Sequence, residues 1–187
     1  MQQSNNNINH KRKVQKTARV LALICTTVPL LVSAAAEGPR LGKPANPEEI
    51  AAWNMTVFPD GRGLPSGHGS AAEGKLVYER FCGSCHGTNG LGGSGEELAG
   101  AKHGLTEANP DKTIGTYWPT ATTLYDFIRR SMPPDNPGSL SNEQIYAVCA
   151  FLLHINGIIP ESAEMNAAAL PQVKMPNREG FIRVEGH

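Results

Sequence analysis

Cys82-Gly83-Ser84-Cys85-His86 is the pentapeptide on which the reading of this 187-residue chain turns. Two thiols three positions apart lie about one helical turn from each other, so both can form thioethers along one porphyrin edge, and the histidine that follows is then held under the iron. CxxCH is the haem c attachment sequence. A structural disulfide would use the two thiols and leave His86 without a reason. A thioredoxin-like redox pair needs a strand before the motif, whereas the pattern before Cys82 is helical. A structural zinc site needs a second ligand pair, which the lone Cys149 and scattered histidines do not supply. The expectation is one covalently bound haem c on Cys82 and Cys85, with His86 as proximal iron ligand.

The segments around the motif read as helices. Ser70-Ala71-Ala72-Glu73 is a capping box, which predicts a helix from Ala71 to Phe81 with Leu76, Val77, Tyr78 and Phe81 on its apolar side. Gly74 costs such a helix about 1 kcal/mol relative to Ala unless it permits close approach, so it is read as a crossing point. Ser141 and Gln144 form a second capping box, with Leu140 and Ile145 as a hydrophobic staple. Ile145, Val148, Cys149, Leu152 and Ile155 then recur at helical spacing, and Cys149 on that stripe reads as a buried, inert thiol. Between them, Ala121 to Arg130 predicts a third helix with Leu124, Phe127 and Ile128 inward, and Arg129 and Arg130 at its electronegative end. It stops at Met132-Pro133-Pro134. The runs Gly87 to Gly104 and Pro110 to Pro119 show no strand alternation, so the fold class is all-α with negligible sheet.

A haem-bearing helix, a middle helix running into Met-Pro and a C-terminal amphipathic helix resemble class I cytochromes c over about residues 70–158. That resemblance implies a haem held edge-on in a helical shell, with the CxxCH histidine on one side and a loop methionine on the other. Further stretches resemble the SoxD-type cytochrome subunits of periplasmic sulfane dehydrogenase: Gly38 to Gly42, Ala52 to Asn54, Val57 to Leu64, Lys112 to Gly115 with Tyr117 to Pro119, Arg129 to Pro137, and Met175 to Arg178. The resemblance implies a molybdenum-containing dehydrogenase subunit as electron donor and another periplasmic cytochrome as acceptor. A sulfite dehydrogenase complex is the close alternative. Some proteins of the SoxD type carry a second haem domain; this chain has one CxxCH and resembles the first domain alone.

Met132 is the candidate sixth ligand. It falls 46 residues after His86, far enough to wrap a porphyrin, and two prolines stiffen the loop behind it. A thioether keeps both oxidation states low-spin and favours ferrous iron. Core packing is the ordinary use of Met, and Met175, Met55, Met165, His154, His68 and His103 are the other side chains weighed for the position. Tyr117 and Trp118 each combine an apolar body with a polar tip, suited equally to hydrogen-bonding haem propionates and to plain aromatic packing.

The first 36 residues carry five basic side chains and no acid, then an apolar run from Val20 to Val32 and Ala34-Ala35-Ala36. This reads as a signal peptide cleaved after Ala36, exporting the protein to the periplasm. Thirteen mostly apolar residues fall short of the roughly 20 that span hydrocarbon, so no membrane span is expected in the mature chain. Ile24 before Cys25 argues against lipoprotein acylation. The remainder has 12 basic and 17 acidic residues, a net of −5, which speaks against a nucleic-acid partner. The expected organisation is therefore a signal peptide over 1–36, an N-terminal extension over 37–69, a cytochrome domain over 70–158 and a wrapping tail over 159–187. No acid/base or nucleophile constellation appears, so the chain reads as an electron-transfer protein and not as an enzyme by itself. The competing classes are a haem enzyme or gas sensor with an open iron site, and a non-haem redox or metal-binding module.

Overall fold

The computed structural model describes residues 42–182; the expected signal peptide with Cys25, its cleavage point and the stretch before Gly42 lie outside the described residues. The chain divides into two units, 1–44 and 45–187. Of the first, residues 42–44 are exposed and without regular structure.

The second unit opens with helix α1, Pro47–Trp53. Asn46 accepts a hydrogen bond from the Glu49 amide at 2.8 Å, and the Glu49 carboxylate accepts one from the Asn46 amide at 2.9 Å. Pro47 at the first helical position has no amide to satisfy. None of the helix's residues is buried, so caps and not packing define it.

Helix α2, Ala71–Phe81, starts at the predicted capping box. Its buried residues are Ala71, Gly74 and Tyr78. The expected apolar side is corrected in one place. Leu76 is 68% exposed, because it lies two positions from Gly74 and so about 200° around the helix from the crossing. Helix α3, Gly83–His86, follows after a single residue.

Helix α4, Ala121–Ser131, is capped by Thr120, whose side chain accepts from the Thr123 amide. Ala121, Leu124, Tyr125 and Ile128 form its inner stripe. Phe127, expected to point inward, is 42% exposed. It stands about 100° away from Ile128, and the inner place belongs to Tyr125, whose ring packs on Tyr146 at 4.6 Å between centroids.

Helix α5, Asn142–Ile155, is the centre of the molecule. Its capping box at Ser141 and Gln144 is as predicted, but the expected stripe is too narrow: every residue from Ile145 to Leu153 is buried. Helices α2 and α4 and both strands pack around it, which leaves no polar face. Strand β1, His68–Ser70, pairs antiparallel with β2, Glu164–Asn166. These three-residue strands are the sheet content of the described residues, in keeping with an all-α class I cytochrome fold. The pair draws the C-terminal segment back over the core, where Met165, Leu170, Val173 and Met175 are buried together with Val57 from the N-terminal side. Among the described residues no helix is long and apolar enough to cross a membrane.

Candidate functional site

The CxxCH pentapeptide is a single turn of helix. Cys82 ends α2 and caps α3, and its carbonyl accepts from the amides of Cys85 at 3.1 Å and His86 at 2.9 Å. Both thiols therefore leave one turn, as double thioether attachment requires. Both are free, Cys82 half-buried and Cys85 exposed. Burial, and secondarily the neighbouring Cys85, pushes the Cys82 thiol up to about 11. Tyr78 fastens the turn from below: its hydroxyl donates to the Gly87 carbonyl at 2.8 Å while its ring rests on Phe151.

The glycine-rich run beyond His86 folds back on this turn. The amides of Gly92 and Gly95 donate to the carbonyls of His86 and Cys85 at 2.9 and 2.8 Å, satisfying the open end of α3. Such approach needs bare backbone. A Cβ on Gly93 would stand 2.6 Å from the Cys85 carbonyl oxygen, and one on Gly95 only 3.1 Å from Nδ1 and Cε1 of His86. The loop thereby brings the Glu96 carbonyl to 2.8 Å from His86 Nδ1. A carbonyl only accepts, so Nδ1 carries the proton and Nε2 keeps its lone pair. Nε2 makes no hydrogen bond among the described residues. That is the form in which an imidazole ligates a metal, with the other nitrogen's hydrogen bond fixing ring orientation and basicity. The loop is in turn moored to α5: Asn156 donates to the Leu98 and Leu152 carbonyls and accepts from the Gly115 amide.

Met132 is the residue that ends α4, its amide bonded to the Ile128 carbonyl at 3.0 Å. Cys82, Trp118 and Met132 are all half-buried and pack on the same core, although 50 residues of chain separate the first from the last. Trp118 meets Phe127 edge-on at 5.5 Å. Tyr117 instead engages the C-terminal tail, edge-on to Phe181 at 5.3 Å, with its carbonyl accepting from Asn177 at 2.7 Å. The other side chains weighed for the sixth position differ in their surroundings. Met165 and Met175 are core residues at 5% and 4% exposure, and Met55 lies half-buried in the N-terminal extension. His103 is bonded to Glu107 at 3.0 Å, His154 faces the Ile159 carbonyl at 3.4 Å, and His68 is exposed on β1.

These residues fit a haem by the chemistry of the donor set: two free thiols on one turn, an imidazole with Nε2 bare, and a half-exposed thioether on the shared core. A bare metal ion fits less well, since no three His, Cys, Asp or Glu side chains are placed to hold one among the described residues. Sequence reasoning missed the Glu96 carbonyl and the glycines that admit it. Their signal was present as the density of glycine directly after the motif, which marks close backbone approach.

Residues 71–156 match the cytochrome c family. No curated protein matches the chain. Among solved structures, the chain is similar to one in the crystal structure of the sulfane dehydrogenase SoxCD from Paracoccus pantotrophus, with 44% identity and a TM-score of 0.72, covering 76% of this chain and 70% of that one.

Proposed function

This chain belongs to the cytochrome c family, and from that premise we propose that it is the single-electron carrier of a periplasmic sulfur-compound dehydrogenase, bearing one haem c. Cys82 and Cys85 would hold the group covalently, and His86, through Nε2, and Met132 would be the iron's protein ligands. When bound, the haem would supply reversible one-electron chemistry, and the chain would supply its attachment and its ligands. The observation that carries the reading is the His86 ring, held by the Glu96 carbonyl in the one tautomer that leaves Nε2 for iron.

The donor is a molybdenum-containing subunit that oxidises sulfane sulfur, and the acceptor is a second periplasmic cytochrome. The likeness to a chain of SoxCD supports this partner, and α1 supports a lasting contact: a capped helix whose Ile50 and Trp53, one turn apart, are 56% and 85% exposed. Stable interfaces centre on such aromatic anchors.

Mass spectrometry after periplasmic expression tests the haem. The chain cleaved after Ala36 plus one haem, resistant to acid-acetone extraction, is expected; an extractable haem, or none, ends the reading. Co-expression with the molybdenum subunit tests the partner. A complex that survives size-exclusion chromatography and is lost in the Ile50→Ala, Trp53→Ala double variant supports a lasting assembly. A cytochrome that elutes alone yet is still reduced by the dehydrogenase is instead a diffusible carrier.

A further inference from the structure

We propose that Asp126, Arg130 and the backbone strap at residues 55–57 form a clamp that positions Met132, an inference that rests on Met132 being the sixth ligand. The last turn of a helix is its least constrained part, because its carbonyls lack intrahelical partners. In α4 that turn ends at the residue before Met132, so whatever steadies it steadies the thioether.

The strap does so from outside. One oxygen of Asp126 accepts from the Val57 amide at 2.9 Å, and the other pairs with Arg130 Nε at 3.0 Å. Arg130 in turn donates to Thr56 Oγ1 at 2.9 Å, and Arg129 reaches the Met55 carbonyl at 3.5 Å. Val57 anchors the strap in the core at 7% exposure. The bonds join segments some 70 residues apart and fall on the two final turns of the helix. Hydrogen bonds to charged groups are the stronger kind, and the Asp126–Arg130 pair is half-shielded from solvent. The 3-10 turn Leu170–Gln172 packs on the same helix. Both extensions thus converge on the element that carries Met132, which assigns them a task inside the chain besides any partner contact.

The test uses the full haem-loaded chain in the ferric state, mixed with cyanide. Cyanide binds after the thioether leaves iron, so its rate reports how readily Met132 swings away, followed by loss of the near-infrared sulfur-to-iron band. Asp126→Ala should accelerate cyanide binding about tenfold, equivalent to about 1.4 kcal/mol in the opening equilibrium. Thr56→Val should give a smaller acceleration. Asp126→Asn should fall between wild type and Asp126→Ala, because its amide oxygen still accepts from the Val57 amide. Glu73→Ala, which removes the carboxylate half of the α2 capping box, is the control that lowers stability without touching the clamp. Wild-type rates in the Asp126 and Thr56 variants, or equal acceleration by Glu73→Ala, overturn the clamp. Should Asp126→Ala fail to fold, the exposed Thr56 position still decides. A wild-type protein without the band, or a band that survives in Met132→Ala, overturns the ligand assignment and the clamp with it.

Discussion

Gly74 and Ala147 mark the point where α2 crosses α5, and the backbones there are so close that a Cβ on Gly74 would run into the Ala147 carbonyl. Gly69 on β1 approaches the same residue, with a Cβ there 2.6 Å from the Ala147 Cα. Ala147 is therefore enclosed by two glycines, and the helix bearing the CxxCH turn owes its depth against α5 to the side chains they lack.

Gly74→Ala should destabilise the protein although alanine is the better helix former. Propensity alone favours the change by about 1 kcal/mol. The clash is with backbone, which no rotamer relieves, and overpacking of this kind costs about 1–3 kcal/mol. A net loss of up to about 2 kcal/mol is expected, read as a lower urea midpoint with unchanged slope. A stabilised variant would show that the helices do not cross at Gly74.

Met132→Ala and Met175→Ala should separate ligation from packing. Met132 is half-buried at the end of α4, whereas Met175 is 4% exposed within the core. Met175→Ala should cost about 2–5 kcal/mol as a core truncation and leave the near-infrared band of the oxidised protein intact. Met132→Ala should abolish that band and let the ferrous protein bind carbon monoxide. The reverse pattern would transfer the ligand to the C-terminal tail.

The helix starts were legible because a capping box is a local device: Ser70 with Glu73, and Ser141 with Gln144, each satisfy donors within four residues. The crossing at Gly74 was legible because glycine inside a helix needs a reason. Phe127 and Tyr125 were not separable by pattern, since either suits an amphipathic stripe and only the packing of Tyr146 decides. Asp126 gave no local sign, because its partner amide at Val57 lies 69 residues away. The Glu96 contact is invisible in a different sense: the group is a backbone carbonyl, which every residue has. The N-terminal extension was legible as non-standard sequence, while its division into an exposed α1 and a strap bonded to α4 depends on long-range contacts.

Acid should loosen the loop of residues 102–111. The Asp111 carboxylate accepts from the amides of Lys102 and His103 at 2.6 and 2.9 Å, and these bonds hold it below its ordinary value of 3.8. Glu107 is lowered in the same way, by the Gly104 amide first and His103 second. A depressed carboxylate contributes above its unfolded value and loses that contribution as pH falls through the folded one. The Lys102 and His103 amide proton resonances should therefore move together below pH 3.8. In Asp111→Ala they should show no such titration and sit at shifted positions throughout. Amides that titrate unchanged in the variant would remove Asp111 from the account.

Gly95→Ala should raise the reduction potential. Its Cβ would lie 3.1 Å from His86 Nδ1, tight enough that the loop must retreat by a few tenths of an ångström, lengthening the bond from His86 Nδ1 to the Glu96 carbonyl. A weaker acceptor makes the imidazole a poorer donor through Nε2, and a poorer donor stabilises ferric iron less than ferrous. The shift should be positive and within about 59 mV, the tenfold limit for one electron. Glu96→Ala is the discriminating control, since only the backbone oxygen of that residue reaches the histidine and its exposed side chain does not. Potentiometric titration should find Glu96→Ala close to wild type and Gly95→Ala clearly above it. Because Gly95→Ala keeps the Glu96 carboxylate, a comparable rise in both would show that any disturbance of the loop raises the potential and not the close approach at residue 95, and a fall in Gly95→Ala would mean that the loop does not govern the ligand's basicity.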